Sequence, residues 1–199
     1  MELSEVLRRR RMVRAFRADP VEPAALARVL DAASRAPSAG FAQGLDLLVL
    51  EGAAQTSRYW DRTLSDPDAR ARFRWQELLV APVLVVPVVD PAAYTARYGE
   101  ADKATTGLGE LEAWPVPYWW VDAGAAVENV LLAAVAEGLG ALLFGLFEHE
   151  RAVLDDFGVP QGRRAVGAIA LGHPAPAEPG RSSSRPRRPV DELVHRGRW

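Results

Sequence analysis

DAGAAVENVLLAAVAEGLGALLFG, residues 122–145, is the longest apolar segment of the chain, and the elements on either side are read against it. From Asp122 to Leu139 the only strongly polar side chains after the first are Glu128, Asn129 and Glu137, so a helix here has no wide face for water. A helix apolar nearly all round is either the centre of a core or the seam of a dimer. Asp122 suits the N-cap, where a carboxylate accepts orphan first-turn amides, and Gly138 and Gly140 suit the C-terminal cap and turn. Gly124 and the alanines permit close backbone approach. The following ALLFGLF is short and apolar and predicts an extended segment leaving the helix.

Upstream, residues Glu2 to Arg11 predict a helix with Ser4 as its cap, running into RRRRMVRAF at Arg8 to Phe16. A second helix starts near Pro23, carries Leu26, Val29, Leu30 and Ala33 on one face, and stops at Ala36-Pro37. The loop PSAGFAQG, residues 37–44, leads into LDLLVLE, Leu45 to Glu51, an apolar run of strand length. Helical stretches are expected at Ala54 to Trp60 and Ala69 to Leu79. VLVVPVV, Val83 to Val89, is β-branched enough for a strand, with Pro87 marking an edge or bulge. Residues 91–121, which hold WPVPYWW, form a lid-like excursion with some helix. A short helix near Glu148 to Phe157 and a strand AVGAIALG, Ala165 to Gly172, follow the apolar helix. PAPAEPGRSSSRPRRP has the composition of a linker, yet it opens a C-terminal arm, residues 174–199, that ends in DELV and HRGRW.

The 199 residues suit one domain with a self-sufficient core. No cysteine is present, which excludes disulfides, thiolate nucleophiles and thiolate metal sites. A net charge of −2 argues against bulk nucleic-acid affinity, and the polar interruptions of the apolar segment argue against a membrane span. The expected compartment is the cytoplasm. His149, His173 and His195 have no paired spacing, so no metal site is expected, and GxSxG is absent. Gly138, Gly140 and Gly145 end a helix rather than open one, so they are not a dinucleotide fingerprint.

Positive charge is clumped at the two ends of the sequence. Arg10, Arg11 and Arg14 project together if they lie on a helical turn, and such a cluster is either a solvated basic face or a site for a phosphate monoester. Arg181, Arg185, Arg187 and Arg188 form the second cluster, and a shared anion would reconcile the two. PSAGFAQG offers Ser38, free amides near Ala39 to Phe41, and Gln43 to the edge of a flat heterocycle, or it is simply a helix-stopping loop. Trp114, Trp119 and Trp120 are either core or a stacking wall for a planar ligand.

The order R-R-x-x-R-x-F (Arg10 to Phe16), A-P-S-A-x-x-x-Q (Ala36 to Gln43), a long alanine-rich helix ending G-L-G, a strand, and a late arginine segment before P-x-D-E-L-V resembles the FMN-dependent nitroreductase family over essentially the whole chain. The resemblance implies an α+β fold, a small mixed central sheet flanked by helices, in an intertwined homodimer with FMN at the subunit interface. It places Arg10, Arg11, Met12 and Arg14 at the FMN phosphate and ribityl chain. Pro37, Ser38, Ala39 and Phe41 fall beside the isoalloxazine ring. Leu142, Leu143, Phe144 and Gly145 fall on the strand whose backbone amide approaches flavin N5, and Arg185 and Arg187 form the C-terminal pair that closes on the phosphate. Phe41, Trp114, Tyr118 and Trp119 are the expected substrate pocket. Met12 stands where many members have serine, Phe41 where asparagine is frequent, and Gly44-Leu45 where proline-tryptophan is frequent.

The expected function is therefore hydride transfer from NADH or NADPH, through bound FMN, to a nitroaromatic, quinone or similar small planar aromatic acceptor. The flavin carries the chemistry, so no catalytic side chain is required. A flavin-sequestering protein of the same fold and an arginine-rich nucleic-acid module are the rival readings, the latter opposed by the net charge.

Overall fold

The structure is a computed structural model and describes residues 1–177, 180 and 184–199. The helices are α1 (Leu3–Arg9), α2 (Pro23–Ser34), α3 (Gly52–Thr63), α4 (Pro67–Ala71), α5 (Pro91–Tyr98), α6 (Tyr118–Ala136), α7 (Glu150–Asp156) and α8 (Val190–Leu193). The strands are β1 (Leu45–Glu51), β2 (Val83–Val89), β3 (Gly140–Phe144), β4 (Arg164–Ala165) and β5 (Ala168–Gly172). They form one sheet in the order β1-β2-β5-β3, with β4 on β2, and every ladder is antiparallel. The parallel component is a single bridge, Met12 to Ala141, which lays the N-terminal segment along the outer edge of β3.

All seven residues of β2 are buried, and alternation along the strand explains why. Val83 and Val85 enter the layer of α2 and α6, with Leu26, Val29, Val127 and Val130. Leu84, Val86 and Val88 enter the opposite layer, with Tyr59 and Trp60 of α3 and Leu154 of α7. A strand covered on both faces reads as a continuous apolar run rather than an alternating one.

Pro87 sits in this central strand and not at an edge. Its carbonyl accepts the Val166 amide at 3.0 Å, so its missing N–H also faces the β4–β5 side. There the partner carries three residues, Val166 to Ala168, against two between the pairs Val85–Ile169 and Val88–Ala165. That is a bulge, and the sheet loses no hydrogen bond to the proline. Gly167 makes the bulge with φ 157°, and a Cβ there would lie 2.7 Å from the Phe144 carbonyl.

Several local expectations are corrected. α1 is shorter than Glu2 to Arg11 and is N-capped at Glu2, so Ser4 lies inside it. The helix expected at Ala69 to Leu79 breaks into α4 and a 3-10 turn at Gln76–Leu78, because the Gln76 side chain donates to the carbonyls of Arg70, Ala71 and Phe73 and ends α4 there. α6 begins four residues before Asp122, with Pro117 at its N-cap position, so Asp122 is not a cap. Its C-terminus does close at Gly138, φ 75°, with Gly138 donating to Val135 at 3.0 Å and Leu139 to Ala134 at 2.8 Å, a Schellman pair. Residues 91–121 contain α5, 3-10 turns at Ala104–Thr106 and Leu111–Ala113, and the first turn of α6. α6 is long and apolar enough to cross a membrane, but here it packs on α2 and the sheet, and Asn129 donates to the Ala32 carbonyl at 3.1 Å.

An ion pair ties α3 to α7: Arg58 Nε and Arg62 Nη2 each lie 2.6 Å from the Asp156 carboxylate. The hydrogen bonds from Arg58 and Arg62, reinforced by their charges, hold the Asp156 carboxyl down at about 2. The unfolded value is about 3.9, so this stabilisation is complete above pH ~4 and is lost as pH falls toward 2. Asp156→Asn is expected to melt below wild type at pH 7, with the gap closing over that acid window. A gap in thermal midpoint that stays constant from neutral pH to pH 2 contradicts the assignment.

Candidate functional site

The loop at residues 37–44 is held from below by two helices. Asp122 Oδ2, on α6, accepts the Ala39 amide at 2.8 Å and the Tyr94 hydroxyl of α5 at 2.9 Å. Arg97 Nε donates to the Gly40 carbonyl at 2.8 Å, and its other nitrogens pair with Asp102 at 2.7 Å and Glu100 at 2.9 Å. Gln43 donates its amide to the Ser38 hydroxyl oxygen at 3.1 Å. Burial, then the hydrogen bond to Asp122 and its charge, push the Tyr94 phenol well above its usual range, so it stays a donor at physiological pH. Phe41, at φ 59°, is 74% exposed. A cavity of about 230 Å³ opens beside it, with apolar walls from Leu30, Ala33 and Leu47 and polar groups from Ser38, Tyr94 and Asp122.

The N-terminal arginines do not share a helical turn. α1 stops at Arg9; Met12 then bridges Ala141 of β3, Val13 donates to the Ala141 carbonyl at 2.9 Å, and the segment leaves β3 to place Phe16 against Glu77 and Pro174. Arg10 Nε turns to Glu128 of α6 at 3.3 Å. Arg11 is exposed. Arg14 is half-buried, with its guanidinium 5.5 Å from the centre of the Trp75 ring. Among the described residues no carboxylate lies within ion-pair distance of Arg11 or Arg14.

The C-terminal arm comes back to this segment. Ala175 donates to the Ala15 carbonyl at 2.9 Å, Pro174 bridges Phe16, and a Cβ at Gly180 would lie 3.4 Å from Arg14 Nη1. The start of the arm and Arg14 are thus brought together. Arg185 and Arg187 are exposed, Arg188 donates to the Glu192 carbonyl at 2.5 Å, and Arg181 lies outside the described residues.

β3 supplies an open edge. The Ala141 carbonyl points outward to Val13, so strand alternation turns the Leu143 backbone N–H and C=O outward too, beyond the point where the N-terminal segment leaves β3. No described hydrogen bond occupies them. The Leu142 side chain is buried in the α3–α7 layer, and the Phe144 ring stacks on Trp60 at 5.7 Å and 9°. Gly145 follows, where a Cβ would strike the Phe147 ring at 2.8 Å.

The expected aromatic wall is mostly core. Trp114 and Trp119 are 7% and 9% exposed and pack edge-on against Tyr94, each with ring centres 6.0 Å away. Trp114 Nε1 donates to the Leu108 carbonyl at 3.0 Å, so its polar atom is satisfied inside. Tyr118 is exposed, and Tyr94 rather than either tryptophan lines the cavity.

Sequence reasoning missed Asp122 and Tyr94, whose contacts span 83 and 28 residues. It also missed Trp75 and Arg74. The Arg74 guanidinium lies 5.5 Å from the same indole as Arg14, and neither arginine has a described carboxylate. Alternation of arginine and aromatic in Arg72-Phe73-Arg74-Trp75 was the available signal. A slightly larger cavity, about 270 Å³, lies between α3 and residues 79–83, with one buried hydroxyl, Thr56, that donates to the Gly52 carbonyl at 3.2 Å; neither cavity has an arginine in its wall. The smaller cavity is the candidate site because the braced loop at residues 37–44 walls it through Pro37, Ser38, Phe41 and Gln43. No group of three metal-ligating side chains occurs among the described residues.

The loop and Arg10 are anchored to different faces of α6. Asp122, which holds the loop, and Glu128, which meets Arg10, are six residues apart on α6, roughly 9 Å along the axis and roughly 120° around it. The Glu128 face of α6 also carries Val121, 51% exposed, with Gly124, Ala125 and Leu132 incompletely covered.

A family model described as "Nitroreductase family" matches residues 7–173. A relative from Archaeoglobus fulgidus, named provisionally as an NADH dehydrogenase/NAD(P)H nitroreductase, is 26% identical over 176 residues, 87% of this chain and 86% of that protein. The chain is similar in fold to a nitroreductase-like family protein from Bacillus cereus, at TM-score 0.70 and 20% identity over 98% of this chain and 95% of the other. It is also similar to an NADPH:FMN oxidoreductase from Vibrio harveyi complexed with NAD+, at TM-score 0.71 and 20% identity over 99% of this chain and 77% of the other.

Proposed function

The chain belongs to the nitroreductase family, and from that premise we propose that it is an FMN-dependent oxidoreductase acting between NADH or NADPH and a nitroaromatic, quinone or similar planar acceptor. The observation that carries the reading is Arg14: a half-buried cation braced on Trp75 beside the returning arm, with no described carboxylate to neutralise it. A phosphate monoester would give this half-buried guanidinium a bidentate, charge-assisted partner that none of the described carboxylates supplies.

The residues present fit FMN. Arg14 and Arg11 would hold the phosphate, joined by the Nη atoms of Arg10 and by Arg185 and Arg187 from the arm. Met12 would lie along the ribityl chain. The outward Leu143 amide and the small Gly145, on the strand segment with Leu142 and Phe144, would meet the polar edge of the ring. Pro37, Ser38, Ala39 and Phe41 would cover the ring from a second copy of the chain. When bound, the flavin would supply the two-electron chemistry between nicotinamide and acceptor. The protein's share is binding, orientation and exclusion of water.

The whole chain would act as one FMN-binding domain working as a homodimer. Support comes from the uncovered apolar face of α6, from Leu3 and Leu7 of α1 exposed beside it, and from Val190, Leu193 and Trp199 of the arm exposed to solvent. Pairing two copies across α6 would bring the loop of one to the arginines of the other.

The test is a titration of purified chain with FMN, followed by anaerobic mixing with NADH or NADPH. Stoichiometric uptake with a flavin spectrum, bleaching on reductant and colour returning with a quinone support the enzyme. Uptake with persistent colour turns the assignment to flavin storage, and no uptake overturns both.

A further inference from the structure

We propose that Asp122 is a positioning residue for acceptor selection: by clamping the loop at residues 37–44 it fixes the Phe41 ring as the wall on which a planar aromatic acceptor stacks. This rests on the flavin-oxidoreductase reading above.

The loop is strained. Gly40, Phe41 and Gln43 have φ of 59°, 59° and 51°, and the two with side chains each cost about 1–2 kcal/mol in this left-handed region. A free loop would relax, so the surroundings hold it. One carboxylate oxygen of Asp122 joins α6 to the loop through Ala39 and to α5 through Tyr94, at 2.8 and 2.9 Å. Gly40 and Gly44 let the backbone lie directly on Tyr98 and Tyr94, whose rings a Cβ would meet at 2.7 Å in each case. Arg97 pulls on the Gly40 carbonyl from the same side.

The result of this bracing is an exposed aromatic ring. Hydrophobic burial opposes leaving a phenyl group in water, and left-handed positions favour glycine or asparagine, so within one chain Phe41 is held outward at two separate costs, the first of which stacking on a planar ring would offset. The ring overlooks a cavity whose walls are apolar and whose polar groups sit at the Asp122 end. A flat acceptor can stack on Phe41 and slide its apolar edge into that cavity. Releasing the clamp would free the ring and raise KM for stacking acceptors, while an acceptor that does not stack would notice little.

Two readouts test this. The first is hydrogen exchange of the Ala39 to Gln43 amides without flavin. The second, in the FMN-loaded protein, is the ratio of kcat/KM for 1,4-naphthoquinone to that for ferricyanide, which is not flat. Asp122→Ala is expected to speed exchange by about tenfold or more and to lower the ratio by about tenfold, chiefly through KM. Asp122→Asn, whose amide oxygen still accepts both bonds, should restore most of each. Phe41→Ala should lower the ratio without speeding exchange at Ala39, and the double variant should be no worse than Phe41→Ala.

Exchange that rises while the ratio holds means the clamp is structural only and overturns the proposal, as do losses that multiply in the double variant. If Asp122→Ala does not fold, Tyr94→Phe removes one of the two bonds and carries the same comparison at smaller amplitude. A chain that binds no FMN defeats the oxidoreductase reading alone. The exchange comparison then decides the clamp, and unchanged exchange in Asp122→Ala overturns it separately.

Discussion

Arg14→Ala is expected to weaken FMN binding about a hundredfold while leaving riboflavin binding nearly unchanged. A charge-assisted hydrogen bond to a phosphate contributes about 1.5–3 kcal/mol, and each 1.4 kcal/mol is tenfold in affinity. Arg14 differs from its neighbours on two counts. Arg10 already faces Glu128 at 3.3 Å, and Arg11 is exposed, where water and salt screen it. Arg14 is half-buried and braced by an indole 5.5 Å away, which narrows the rotamers it must give up to bind. Riboflavin lacks the phosphate, so the ratio of the two dissociation constants, read by quenching of flavin fluorescence, isolates the guanidinium–phosphate contact from any general loosening. Equal weakening of both ligands would remove Arg14 from the phosphate site. Trp75→Ala should give a smaller loss with the same preference for FMN, because it removes the brace and keeps the charge.

What was legible in the sequence was what depends on local pattern. β1 and β2 have the expected bounds because apolar runs of seven residues end at a glycine or an Asp-Pro. The C-terminus of α6 was legible because a glycine there accepts a left-handed φ. The start of α6 was not. Asp122 has the chemistry of a cap, but the helix draws its first turn from Tyr118 to Val121, and Trp119 in that turn is buried against Tyr94. Tertiary burial outweighed the cap and released the carboxylate to hold a loop 83 residues away. Three clustered tryptophans with prolines read equally as wall or core, and the choice fell to Tyr94 of α5, which gives Trp114 and Trp119 a ring to pack on. The arginines were recognised by charge, whereas their geometry came from the end of α1, which turned a helical cluster into an extended one with divergent partners.

Gly124→Leu is expected to leave the single chain folded and to abolish the proposed dimer, and with the dimer the proposed tight binding of FMN. Glycine in a helix interior costs about 1 kcal/mol relative to alanine, so α6 carries Gly124 at a loss. Nothing within one described chain requires it, since a Cβ built there meets no atom within 4 Å. The lack of a side chain therefore gains nothing inside the protomer. In the proposed dimer it would become useful, where a second α6 would cross close over the Val121, Gly124, Ala125 and Leu132 face, and there a leucine would overpack the seam. A two-fold axis repeats each offence, so a penalty of about 1–3 kcal/mol per site raises the dimer dissociation constant by about a hundredfold or more. Gly124→Ala, which adds one methyl, should give an intermediate dimer and an equally or more helical monomer. Sedimentation velocity over a dilution series reads the first effect, circular dichroism the second, and FMN titration of the same samples the third. If the leucine variant remained dimeric, the seam would not run over Gly124, and if its monomer bound FMN as tightly as wild type, the loop at residues 37–44 and the arginines at 10–14 would have to meet within one chain. Asp122 and Glu128 lie on different faces of α6, which is why the dimer, and not one chain, is the expected route to that meeting.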